Sequence, residues 1–434
     1  MKEIYFDFSK TEGRIKELHG VNNSPMALKS TVPTFTDAGI PYMRTHDSMG
    51  PFGGAHYVDI SNVFPNFDAD ETASESYDFA FTDAYLSNVV KSGTKIFYRL
   101  GVTIENNWQI KAYNIHPPKD YNKWARICEH IIRHYNEGWA DGFFYNIEYW
   151  EIWNEPENPA MWTGTREQYY SLYSVTANHL KKCFPNIKVG GYAGCGFYYI
   201  TGHGTDDFNK GLVTFFDGFL DYISAAETRA PLDFYSWHIY TSDPHVVAKH
   251  ADYVRKKLDE KGYSYTEHIL NEWNRTAPSD TVFDDMKNEI GASFCAEVLN
   301  IMQQSSIEKA MYYDAYPARR YCGLYHFPSY RPTKTYYSLY AFNRLYRLGE
   351  CVGTKVFKDS GISACAATDG KKRAILLSNY SKSEESIALN FEGQYDTYLT
   401  DKDHTFEKNI LVCKANELTL PAYSTVLLES KNSF

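Results

Sequence analysis

The sequence predicts an α/β protein, a (β/α)8 TIM barrel followed by a C-terminal β-sandwich. Three observations carry this prediction. Between residues 20 and 316, eight short apolar runs alternate with longer runs in which apolar residues recur at helical spacing. The apolar runs end in polar residues. Beyond about residue 345 the helical periodicity gives way to short alternating segments. Near-continuous apolar strands belong to a parallel sheet covered on both faces. Polar residues at their C-terminal ends belong to a barrel rim, where side chains face an open mouth rather than the core.

In chain order, a first strand is expected at 20–22 (GVN), ending in Asn22. A helical stretch containing Pro33 leads to a second at 41–47 (PYMRTHD), which closes on Arg44, Thr45, His46 and Asp47. The third is 94–102 (TKIFYRLGV). The fourth is 146–157 (NIEYWEIWNEPE), with Asn154 and Glu155 at its end. The fifth is 187–194 (IKVGGYAG), and the sixth is 232–240 (LDFYSWHIY), carrying His238 and Tyr240. The seventh is 267–274 (EHILNEWN), with Asn271 and Glu272, and the eighth is 309–316 (KAMYYDAY), with Asp314. Helices are expected between them, among others at 121–138, 166–183, 245–262 and 284–304. The barrel therefore occupies 15–335 and the sandwich 345–434, where Asp369-Gly370 signals a hairpin. An N-terminal strand, 1–14, alternates Ile4, Phe6 and Phe8 with Tyr5 and Asp7 and is expected to join the sandwich.

Composition narrows the function. With 43% hydrophobic and 23% charged residues the chain can bury a full core. A net charge of −10 gives no basic field for a nucleic-acid partner. No apolar run is long enough for a membrane span, and the N-terminus lacks a signal-peptide core, so no membrane partner is expected. The eight cysteines fall at irregular spacings without a C-x-x-C pair, which fits free thiols in a reducing cytoplasm. Self-association into a homo-oligomer is left open. The 37 tyrosines fit either a Tyr-rich core or surfaces on which sugar rings stack.

The chemistry lies in two glutamates. Strand interiors are poor in Glu, yet Glu155 ends the fourth strand and Glu272 the seventh, each after an Asn and near a Trp (Trp153 and Trp273). Two carboxyls across one rim are what glycosidic cleavage needs: one protonates the departing oxygen, the other attacks or activates water. Glu148 and Glu151 lie earlier in the fourth strand, and Glu151 is expected to pair charges inside the barrel. Glu157 falls in the loop beyond Pro156. His130 and His134 share a helix face, but the His-Glu-x-x-His metal pattern is absent, so they read as a helix-surface pair. GGYAGCG (190–196) fits no phosphate loop and reads as close backbone packing. Gly53 and Gly54 suggest a flexible rim loop that also carries His56. No cofactor or metal is called for.

WEIWNEPE with LNEWN, preceded by LHGVN and MRTHD, resembles glycoside hydrolase family 39 of clan A, which contains β-xylosidases and α-L-iduronidase. The resemblance covers most of residues 15–330 and implies a retaining glycosidase acting on a short oligosaccharide or glycoside, of β-xylosidase type. It implies that Glu155 is the general acid/base and Glu272 the nucleophile. Asn154 would bind the sugar 2-hydroxyl, Tyr240 would orient Glu272, His46 and His238 would line the sugar site, and Arg44 would keep Glu272 ionised. Trp273 and Asp314 complete the expected substrate contacts. The β-xylosidases of the family carry a Trp and a downstream Glu in the strand-eight region. Here 311–325 reads MYYDAYPARRYCGLY, with neither. A β-galactoside, an α-L-arabinoside or a uronide therefore stays open, and Arg319 and Arg320 would suit a substrate carboxylate. The alternatives from other classes are a non-catalytic sugar-binding barrel, which should lack one carboxylate, and a barrel of phosphate or aldol chemistry. The latter should show a phosphate loop or a Lys at a strand end, whereas Lys309 precedes the eighth strand.

Overall fold

The computed structural model describes residues 2–25, 31–46, 58–103, 115–276, 283–317, 323–356, 361–390, 393–411 and 416–431. After the N-terminal strand β1 (Lys2–Arg14), eight parallel strands close a barrel in chain order. They are β2 (Glu17–Asn22), β3 (Tyr42–Arg44), β4 (Lys95–Leu100), β5 (Tyr149–Ile152), β6 (Lys188–Gly194), β7 (Phe234–Tyr240), β8 (Glu267–Asn274) and β9 (Lys309–Tyr312). β9 returns to pair with β2.

The helices around it are α1 (Thr31–Ala38), the single-turn α2 (Ile60–Val63), α3 (Ala80–Lys91), α4 (Tyr121–Glu137), α5 (Arg166–Cys183), α6 (Asp207–Ser224), α7 (His245–Glu260), α8 (Glu289–Gln303) and α9 (Lys334–Leu348). Local chemistry fixes several of their ends. Pro33 sits in the first turn of α1, where a missing N–H costs nothing. The Asp120 side chain accepts from the N–H groups of Asn122 and Lys123 to start α4, and Gly138, at φ +74°, ends it. Thr165 and Gln168 form a capping box on α5. Among the described residues, no helix is long and apolar enough to cross a membrane.

The lower barrel is plugged by Tyr42, Phe97, Tyr149, Phe234, Ile269 and Met311, all buried. Beneath this plug, Lys309 lies within 3.5 Å of Glu17 and Glu267, at the end of the barrel away from the strand C-termini. Filling from below leaves the C-terminal ends of the strands as the open end, where polar side chains converge above a closed floor.

β10 (Glu350–Lys355), β11 (Ile362–Thr368), β12 (Arg373–Asn379), β13 (Glu385–Leu389), β14 (Tyr395–Thr400), β15 (Glu407–Lys408), β16 (Glu417–Leu420) and β17 (Ser424–Ser430) form the second domain. As expected, β1 joins it, antiparallel to β10 and parallel to β13. Ile4 and Phe6 enter its core with Ile375, Leu377, Ile387, Val426 and Leu428. Gly370, at φ +85°, turns the β11–β12 hairpin. The barrel runs past the expected boundary at 335, because α9 continues to Leu348 and packs on α8 and α1. The two domains lock through Arg344 and Glu429, at 2.8 and 3.1 Å, and through Asn300 and Ser363.

Candidate active site

The end of β5 sends its acidic residues to different places. Glu151 points into the barrel with no exposure. It accepts from Arg44 Nε at 2.7 Å, from Ser236 Oγ at 2.6 Å and from the Asn271 amide. This is the charge-pairing role its place in the strand suggests. Beyond Ile152 the chain breaks strand geometry: Trp153 has φ +77° and Glu155 φ +46°. Two non-glycine residues in the left-handed region cost on the order of 1–3 kcal/mol each. They are held there by surrounding bonds. The Trp153 N–H donates to Leu100 O, its indole N–H donates to Met161 O, and the Glu155 N–H donates to Tyr192 and Ala193 carbonyls. The result turns the Glu155 carboxyl toward the end of β7.

His238 Nδ1 meets Glu155 Oε1 there at 2.7 Å. The other imidazole nitrogen, Nε2, lies 3.6 Å from Glu272 Oε2, so one ring stands between the two carboxyls. Glu272 Oε1 accepts from the Tyr240 hydroxyl, and Oε2 has the Arg44 Nη1 at 3.3 Å. Arg44 is fully buried and fans across the site: Nη2 donates to Asn154 Oδ1 at 2.7 Å and Nη1 to Asn22 Oδ1 at 3.1 Å. One carboxyl oxygen each of Glu155 and Glu272 lies within 4.8 Å of the other and of a ring nitrogen of His238.

Burial and charge push the two carboxyls in opposite directions. Burial raises Glu155, but the hydrogen bond and charge of His238, with Cys195 and Asn158 behind them, more than offset it and hold it below the usual carboxylate range. Glu272 is the carboxyl that is raised. Burial is the largest cause and the charge of Glu155 adds to it, against the pull of His238, Arg44 and Tyr240. The two carboxyls are thus pushed apart, Glu155 down and Glu272 up, with His238 in contact with Glu155 and close to Glu272.

His46 and Asp314 sit at the same mouth. The Asn23 side chain joins them, taking the His46 N–H at 3.3 Å and donating to Asp314 Oδ2 at 2.7 Å. The His46 ring lies edge-on to Tyr313. Trp273 does not join them. It is 1% exposed and stands edge-on to Tyr312 in the main apolar core, because the strand carries it away from the face that Glu272 uses. Its expected substrate contact is therefore corrected to a place in the apolar core, on the opposite face of the strand from Glu272. His134 is corrected too. It is buried rather than on a helix surface, stacked on Phe79 and held by Trp139 O at 2.8 Å and Asp83 at 3.0 Å. The glycine run packs as expected: a Cβ on Gly190 would lie 2.1 Å from Phe234 O, and one on Gly191 2.8 Å from Ile152 O. Asp47, Gly53, Gly54, His56, Arg319 and Arg320 lie outside the described residues.

Two further residues lie against Glu155 that carry no role in the sequence reading. Glu157 Oε1 accepts the Cys195 N–H at 2.6 Å, and the Cys195 thiol lies against the Glu155 carboxyl. Nothing in the local sequence links the end of β5 to residue 195. Only closure of the barrel brings them together.

Glu155, His238 and Glu272 also have the spacing of a cation cup. A divalent ion there would sit against the fixed Arg44 guanidinium, so the set suits proton exchange between paired carboxyls better than metal binding. Glu129, His179 and Cys183 converge elsewhere. There His179 already engages Glu129 at 2.6 Å and Arg133 holds the other Glu129 oxygen at 2.7 and 2.9 Å, which closes an ion-pair chain between α4 and α5.

Comparison with known proteins agrees with this geometry. A β-xylosidase from Geobacillus stearothermophilus is 24% identical over 375 residues, which are 75% of this chain and 67% of that protein. A glucosidase from Croceicoccus marinus superposes with a TM-score of 0.76 at 22% identity, over 99% of this chain and 98% of that one. A monomeric β-xylosidase from Caulobacter crescentus does so with a TM-score of 0.69 at 17% identity, over 99% of each chain. The family model for glycosyl hydrolases family 39 matches residues 28–306, and the chain, a glycosidase with two carboxyls at the mouth of a (β/α)8 barrel, belongs to that family.

Proposed function

We propose that this hydrolase is a retaining, exo-acting glycosidase of β-xylosidase type. Glu272 attacks the anomeric carbon while Glu155 protonates the leaving oxygen. Water activated by Glu155 then releases the sugar from the covalent intermediate. The observation that carries this reading is that one oxygen of each carboxyl lies within 4.8 Å of the other, with the His238 ring between them. Retaining pairs stand about 5–5.5 Å apart and inverting pairs about 6.5–9.5 Å, the room needed for a water. The β-xylosidase relatives support the choice of sugar.

In this reading Glu155 carries the proton at the moment of attack, and His238 stands between the two carboxyls, 2.7 Å from Glu155 and 3.6 Å from Glu272. Arg44 and Tyr240 then hold the ionised Glu272. Asn154, fixed by Arg44, presents its amide to the sugar 2-hydroxyl. Two buried carboxyls that share a proton titrate as a pair, so kcat/KM follows a bell in pH. The acid limb marks gain of a second proton and the alkaline limb loss of the last.

A second reading, a β-galactoside, an α-L-arabinoside or a uronide, is favoured by Asp314 standing in the strand-eight region where the family's β-xylosidases carry a Trp and a Glu. Turnover of a panel of aryl glycosides, followed by proton NMR of the first-formed sugar anomer, tests both. Release of β-xylose from a β-xyloside is the expected result. First-formed α-xylose would overturn retention, and preference for another glycoside would select the second reading.

Two variants probe the limbs. Glu155→Gln is expected to erase the alkaline limb for substrates whose leaving group needs no proton, and a surviving limb would assign the acid elsewhere. Tyr240→Phe removes a donor to ionised Glu272, so the acid limb should move to higher pH. A hydrogen bond to a charged group is worth about 1.5–3 kcal/mol, so kcat/KM should fall roughly 10- to 150-fold.

A further inference from the structure

A tyrosine of the second domain reaches the catalytic rim. Tyr380, directly after β12, accepts from Arg275 Nε at 3.2 Å and donates to the Ser242 carbonyl at 3.2 Å. Arg275 follows the last residue of β8, and Ser242 lies two residues past the end of β7. These strands carry Glu272 and the tyrosine bonded to it, Tyr240. Their pairing is short at the rim. A shift in register between Trp237 and His238 leaves three pairs above it: His238 with Glu272, Ile239 with Trp273, and Tyr240 with Asn274. Such an irregularity disrupts the ladder locally. Beyond the last pair, the Thr241 N–H donates to Asn274 O at 3.3 Å, and the Tyr380 hydroxyl then bridges the two chains as they part.

Tyr380 is itself well held. Its N–H donates to Gly361 O at 2.9 Å. Its ring stands edge-on to Phe294 of α8 and to Tyr423, with centroids 5.5 and 5.8 Å away. Arg275 is fixed on its other side by Asp285, 3.3 Å from Nη1. The bridge therefore ties the rim ends of β7 and β8 to a hydroxyl seated in the second domain. We propose that Tyr380 is a positioning residue for the nucleophile: by joining Arg275 to Ser242 it holds β8 and β7 in the register in which Tyr240 meets Glu272. This rests on the assignment of Glu272 as the nucleophile.

Tyr380→Phe tests this, since it keeps the ring against Phe294 and Tyr423 and removes only the bridge. On an aryl β-xyloside, kcat/KM is expected to fall roughly 2- to 12-fold, the scale of one net hydrogen bond. The acid limb should move to higher pH, the direction expected for Tyr240→Phe. In the Tyr240→Phe background the same substitution should cost less than about twofold, because the contact it serves is already gone and residues that act through one contact are not additive. A purely structural Tyr380 would lower Tm and leave kcat/KM and the acid limb of the folded enzyme in place. That result overturns the proposal, and so do equal losses in the two backgrounds. Glu272→Ala run alongside separates the failures. If it keeps near-parental activity, the nucleophile assignment and this inference fall together. If it is inactive and the Tyr380→Phe results fail, this inference falls alone.

Discussion

Azide is expected to give sugar azides of opposite configuration from the two alanine variants. On an aryl β-xyloside with a good leaving group, Glu155→Ala still forms the α-linked glycosyl-enzyme, because such a group leaves without a proton. The intermediate then waits for a base. Azide needs none, and its attack on the α-linked intermediate gives the β-xylosyl azide. Glu272→Ala forms no intermediate. Azide enters the space of the lost side chain, beneath Tyr240 and Arg44, and attacks the substrate directly to give the α-azide. Loss of the acid/base should cost about 10²–10⁴-fold on poor leaving groups and much less on good ones. Loss of the nucleophile removes the covalent route altogether, an effect expected on the order of 10⁴–10⁶-fold, the scale on which removing a member of a hydrolase's catalytic triad acts. Product configuration is read by NMR. Azides of the reverse configurations would exchange the roles of the two residues, and near-parental activity of either variant would overturn the double displacement.

The legible part of this protein is what period and position alone decide. Eight apolar runs closing on polar ends fix the barrel and its functional rim, and Glu155 and Glu272 lie on that rim because each ends its run. Glu151, four residues before Glu155, could be assigned to the interior by the same reasoning. The less legible part depends on irregular backbone and on closure. Trp273 follows Glu272 directly, so a motif reading groups them, but the strand sends them to different faces. The left-handed Trp153 and Glu155 leave no signal in residue type, since neither is a glycine or an asparagine. His238 between the carboxyls, and Cys195 between Glu155 and Glu157, are tertiary facts about β5, β6 and β7 meeting. The direction of the Glu155 shift turned on that one imidazole, which could be assigned to the sugar site but not to a particular oxygen.

Arg44→Leu is expected to destabilise the fold by about 3–5 kcal/mol, the scale on which removing one partner of a buried ion pair acts. Arg44 and Glu151 both have no solvent exposure, and their contact at 2.7 Å is the cationic contact to Glu151 seen in the site. Ser236 and Asn271 would still donate to Glu151, but no charge would offset its burial. Urea unfolding of variant and parent at about pH 7 reads the loss directly, and a variant as stable as the parent would count against an ion pair that stabilises the barrel interior. The double variant Arg44→Leu, Glu151→Leu should recover much of the stability, since apolar replacement of a buried pair is often close to neutral. It should recover none of the activity, because Arg44 also holds Glu272 at 3.3 Å and Asn154 at 2.7 Å. A double variant both stable and active would separate Arg44 from the chemistry. One that is stable and inactive would assign this single buried guanidinium two jobs, neutralising the barrel interior and holding the nucleophile in its charged form.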